Sequence, residues 1–74
     1  MLILLFTLLI TSPTHEPLTG VKVELEGTNR TYYTDINGRV NVPLGYNLKI
    51  NYISYRTQLI NKDSLNKKII LYNR

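Results

Sequence analysis

A chain of 74 residues with 43% hydrophobic content makes one domain at most and sits near the lower size limit for an independent core. The absence of cysteine excludes disulfides, thiolate metal sites and thiol chemistry, and a single histidine excludes a histidine-cluster metal site. The net charge of +4 is uneven: residues 16–35 carry a net −2, whereas from residue 36 onward seven basic groups face Asp63 alone.

The opening MLILLFTLLI admits three readings. It is too short for a membrane-crossing helix, which needs about 20 apolar residues. It has the apolar length of a secretory leader, but no basic residue precedes it and TSPTHEP offers no small-x-small cleavage site. A buried β-strand ended by Ser12-Pro13 fits best. Residues 1–11 are therefore expected as an apolar first strand of a domain spanning 1–74. Such a strand aggregates when exposed, so a neighbour or the rest of the fold must cover it, and Leu2, Leu4, Phe6 and Leu8 are interface candidates.

After the turn-forming SPTHEP, GVKVEL alternates, with Val21, Val23 and Leu25 on one face and Lys22 and Glu24 on the other. EGTN breaks this strand, with Gly27 suited to a positive φ. RTYYT is a short strand whose Tyr32 and Tyr33 point to opposite faces. DING then turns the chain, and RVNV returns it with Val40 and Val42 on one side. Pro43 and Gly45 punctuate before YNLKINYI, where Leu48, Ile50 and Tyr52 share a face. YRTQLI and KKIILY add two strands joined by the polar NKDSLN. No window keeps helical spacing for three turns, and short strands at regular spacing mean an all-β sandwich of about seven strands.

The Asp-x-Asn-Gly centre of YYTDINGRVNV invites comparison with a cation loop. A calcium loop needs further oxygen ligands and a bidentate Glu at its end, whereas Gly38, Arg39 and Val40 follow here. A turn accounts for all four residues. Asp35 can accept backbone N–H bonds two residues on, Asn37 tolerates turn geometry, and Gly38 supplies positive φ. No metal or cofactor is expected.

PLTGVKVELEGTNRTYYTDINGRVNV followed by LKINYISYRTQLI resembles the carboxypeptidase regulatory-like domain. The matching positions are Pro17, Leu18, Gly20, Val21, Val23, Gly27, Thr28, Thr34, Asp35, Gly38, Tyr52 and Tyr55. Val40 stands where that family often has an aromatic residue, and Ser54 where it usually has glycine. The resemblance implies a Greek-key β-sandwich of the transthyretin-like type and a non-catalytic accessory role. Gly20, Gly27, Asp35, Asn37 and Gly38 would define its turns. Leu18, Val21, Val23, Leu25, Val40, Val42, Leu48, Ile50 and Tyr52 would form its core.

Catalytic groups are not expected. His15 lacks a nucleophile context, and His15-Glu16 reads as a solvated loop pair. Glu24 and Glu26 lie on the polar side of a half-buried strand, with no sign of a sugar cleft. Among six tyrosines, Tyr32, Tyr33 and Tyr55 are candidate interface residues, because tyrosine offers rigid area with a polar tip. Asn29-Arg30-Thr31 matches a glycosylation acceptor, relevant only on a eukaryotic secretory route.

The expected function is a non-catalytic structural or interaction subunit docking on other protein subunits of a larger assembly, such as a virion. The AT-rich flavour of the composition suits a bacterial or bacteriophage source. One alternative is an exported cell-envelope or adhesion module whose first segment is a leader meeting the membrane. The other is a nucleic-acid-binding module using the basic C-terminal half. No small-molecule substrate is expected.

Overall fold

Among the described residues, seven strands and one 3-10 turn follow the alternation in the sequence. They are β1 (Leu5–Thr11), β2 (Lys22–Leu25), β3 (Thr31–Tyr33), β4 (Arg39–Pro43), β5 (Leu48–Asn51), β6 (Gln58–Ile60) and β7 (Lys68–Ile70), with the 3-10 turn at Lys62–Ser64 between β6 and β7. The computed structural model describes residues 5–74, so Leu2 and Leu4 lie outside the described residues. Two sheets face each other, one in the order β4-β1-β7 and the other in the order β3-β2-β5-β6. The protein is an all-β sandwich.

The core is built from one parity of each strand. Leu8 and Ile10 of β1, Val23 and Leu25 of β2, Val40 and Val42 of β4, Leu48 and Ile50 of β5, and Ile69 of β7 are buried, joined by Val21 and Leu71 beside the strands. Each such side chain contributes about 1.5–3 kcal/mol relative to exposure. Phe6, Leu18, Tyr32, Tyr52 and Tyr55 are half-buried and pack against this cluster.

β1 is the spine of its sheet, antiparallel to β4 from Leu5↔Pro43 to Leu9↔Arg39 and parallel to β7 from Leu9↔Lys68 to Thr11↔Ile70. The parity of β1 differs from the expectation that Leu8 serves an interface. Leu8 is fully buried and Phe6 is half-buried on the inner face, while Leu5, Thr7 and Leu9 face outward. Exposed Thr7 marks the outer face, whereas Thr11, of the same parity, is buried at the end of the strand.

DING also does more than close a hairpin. β3 and β4 belong to different sheets, so the turn carries the chain across the sandwich. Asp35 Oδ1 accepts the N–H groups of Asn37 at 2.9 Å and Arg39 at 3.0 Å, which holds the turn closed. Gly38 has φ +73°, and its carbonyl accepts the Ile10 N–H at 2.8 Å. A Cβ there would lie 2.8 Å from the Ile10 carbonyl oxygen and 2.9 Å from Pro17 Cβ. Glycine is required both by the dihedral and by the packing of β1 onto the turn.

Pro43, which reads as punctuation in the sequence, is the last residue of β4. β4 lies at the sheet edge, and the pairing of Ile10 with Gly38 sets a parity in which the nitrogen of Pro43 faces away from β1. A missing N–H is tolerated at that position.

Candidate docking surface

The charged pair nearest to a catalytic arrangement is otherwise engaged. Lys22 and Glu24 form an ion pair at 2.9 Å on the outer face of β2, the one ion pair among the described residues. The hydrogen bond to Lys22 holds the Glu24 carboxyl below its ordinary range, and the bond to Glu24 raises Lys22. Glu26 lies beyond the end of β2, where its N–H donates to Asn47 O at 2.9 Å. His15 and Glu16 are both exposed, with Lys68 Nζ 2.8 Å from His15 Nδ1. Among the described residues no three His, Cys, Asp or Glu side chains group as a metal site, and no helix is long and apolar enough to cross a membrane.

The basic residues of the second half do not form one continuous surface. Arg39 and Lys68 flank Leu9 in register on the outer face of β4-β1-β7. Lys49 lies opposite Glu24 on the other sheet. Arg56 and Arg74 are tied into the C-terminal segment by Arg56 N–H to Tyr72 O at 2.8 Å and Arg74 Nε to Tyr55 O at 3.2 Å.

The outward-facing apolar groups fall in separate places. Tyr33 on β3 is 61% exposed, whereas Tyr32 is half-buried and Tyr55 packs at a tilt against Tyr52 with ring centroids 5.6 Å apart. Of the three tyrosines proposed for an interface, Tyr33 offers the most free surface. Sequence reasoning did not single out Leu5, Leu59, Ile36 or Ile53, which are 59%, 70%, 80% and 83% exposed. Ile36 and Ile53 are turn residues, and an apolar residue at a turn tip was the available signal.

A cleft on the sheet of β1 gathers several of these features. It is lined by Leu5, Thr7, Leu9, Arg39, Lys67 and Lys68, with Phe6 also at its wall. β7 begins only at Lys68 and covers β1 from Leu9 onward, so the first half of β1 has β4 on one side and this cleft on the other.

No family model matches this sequence, and no curated protein matches it. Two solved structures do. One is a chain of an N-terminal interface mutant of the type II cohesin–X–dockerin complex of Acetivibrio cellulolyticus, 28% identical with a TM-score of 0.64. The other is a chain of the C-terminal interface mutant of that complex, 29% identical with a TM-score of 0.61. Each alignment covers 92% of this chain and 51% of the other, so the chain spans about half the length of the solved chains it resembles.

Proposed function

We propose that this chain is a non-catalytic docking module that binds a partner protein within a larger assembly. The observation that carries this reading is its likeness, over 92% of its length, to chains taken from a protein–protein complex. Its own surface agrees: a fully formed core leaves Tyr33, Leu5 and Leu59 outward on the sheets, and the nearest acid–base pair is closed as an ion pair. Burying those groups supplies the driving force, about 25 cal/mol per Å² of apolar area less the cost of ordering. The finer label, a transthyretin-like sandwich of the carboxypeptidase regulatory-like type, is supported by the motif order around Gly27, Thr34, Asp35 and Gly38.

Cross-linking and mass spectrometry of the natural source test the docking reading. The expected outcome is recovery of the chain joined to another protein through its sheet faces or edges. Recovery as a free monomer at native abundance would overturn it.

Of the settings for such a module, a virion or cell-surface assembly that keeps the first strand agrees with the fold better than a cleaved leader does. Removal of the first 12–20 residues would delete β1, the strand between β4 and β7, with the buried Leu8 and Ile10. Peptide mapping of the mature protein is expected to recover residues 5–11.

A further inference from the structure

We infer that the open half of β1 is a strand-addition site for an acidic, extended segment of the partner protein. This inference rests on the docking reading and names where and how docking occurs.

The backbone parity of β1 defines the site. The Ile10 N–H bonds Gly38 O on the β4 side, whereas the Leu9 N–H bonds Lys67 O and the Thr11 carbonyl accepts from Leu71 N on the β7 side. Even-numbered residues of β1 therefore direct their N–H and C=O groups to β4, and odd-numbered ones direct them to β7. The groups of Leu5 and Thr7 point to the β7 side, before β7 begins, and no described residue bonds them there. They form a short unpaired ladder edge of the kind that accepts a strand.

Other edges of the sandwich are less receptive. β4 ends on Pro43, which has no N–H to offer. The far side of β7 is tied to β6, where Gln58 Nε2 donates to Ile70 O at 2.7 Å, and Tyr55 bridges to Asn73. β3 and β6 are only three residues long.

The side chains around the notch state what fits. Arg39, Leu9 and Lys68 form a row across the outer face, Lys67 lies at the mouth, and no acid pairs with these cations among the described residues. Phe6, half-buried on the inner face, is also among the residues that line the cleft. A strand laid here in line with β7 would place alternate side chains outward beside the cations and inward against Phe6. The matching pattern is acidic, apolar, acidic, apolar. A second copy of this chain docking edge to edge would bring these cations against their own equivalents, so the occupant is a different protein. The lysines that deter a neutral or basic strand favour an acidic one.

The test uses the full chain, labelled with ¹⁵N, and a capped nonapeptide alternating glutamate and valine between terminal threonines. The expected result is amide shift changes confined to residues 5–9 and 67–68, with slowed exchange of the Thr7 amide. Methylating alternate peptide nitrogens is expected to abolish the effect, because the ladder needs them. Lys67→Glu with Lys68→Glu is expected to weaken the glutamate peptide at least about tenfold and to favour its lysine counterpart. Thr7→Pro removes the edge donor and is expected to prevent binding; if that variant fails to fold, the charge-reversed one still decides. No binding up to about 1 mM peptide, equal binding of the lysine peptide, shifts at β3 or β6, or displacement by an oligothymidine strand would overturn the site. A Lys67→Glu/Lys68→Glu chain that still enters the native assembly unchanged would also overturn it, while leaving the docking reading intact.

Discussion

Ser54 has φ +68°, a left-handed conformation that costs an L-residue about 1–2 kcal/mol. The sandwich pattern that this sequence resembles usually has glycine at this place, and the backbone here keeps the shape that glycine serves. Ser54→Gly should relieve that strain and lose part of the gain to unfolded-chain entropy, raising stability by up to about 1 kcal/mol. A thermal melt would register this as a rise of a few degrees. Thr11 poses the opposite problem, since its Oγ1 is buried without a hydrogen-bond partner. Thr11→Val removes an unpaired hydroxyl while keeping the branched shape, and is expected to stabilise by about 1 kcal/mol in urea unfolding. Gly38→Val combines a forbidden dihedral with overlap against Ile10 O and Pro17 Cβ. It should cost about 3 kcal/mol or more, read as a large fall in the denaturation midpoint.

At the scale of elements, the connections carry more of the specification than the strands do. Thr34, 5% exposed, donates through Oγ1 to Leu18 O at 2.6 Å and accepts the Val21 N–H at 3.0 Å. Gly20 N–H and Thr34 N–H add bonds to Thr34 O and Val21 O. One side chain thus fastens the entry of β2 to the exit of β3. Thr34→Val keeps the volume but strands two backbone groups, so a loss of about 2 kcal/mol is expected. Hydrogen exchange would show the Val21 amide opening faster, whereas a threonine that merely fills space would leave it protected. The polar NKDSLN between β6 and β7 shows similar local control, because Asn61 Oδ1 accepts the Asp63 N–H at 2.9 Å and caps the 3-10 turn.

For the whole molecule, pH acts on folding through the Lys22–Glu24 pair in two separate windows. The Glu24 carboxyl lies below its ordinary range in the folded state, so its contribution is present above that range and is lost as pH falls through the lowered value. Lys22 is raised, so its contribution is present below the ordinary lysine range and is lost as pH rises through the raised value. Both side chains are partly exposed to solvent and screened, so the effect is small and salt-sensitive. Glu24→Gln should flatten the acid-side slope of a melting-temperature profile by slightly lowering the neutral region, with the acid end unchanged. A slope identical to the unsubstituted protein would remove the pair from the account.

Period-two alternation made β2, β4 and β5 legible, because burying Val21, Val23, Leu25, Val40, Val42, Leu48 and Ile50 leaves a strand no choice of face. The turn chemistry of Asp35, Asn37 and Gly38 was equally local, since Asp35 acts on backbone groups within four residues of itself. The run LLFTLLIT carried its parity only through Thr7, since Thr11 is buried, so Leu8 read as surface until the facing sheet claimed it. Partnership was not legible at all. Whether DING closes a hairpin or crosses between sheets, and whether β1 meets β7 along all or half its length, depends on groups distant in sequence. Residue spacing determined the strands, the turn types and the polar faces, because those follow from dihedrals and neighbours. Tertiary packing decided the pairing and the open edge of β1, because long-range hydrogen bonds form wherever the assembled core brings two strands together.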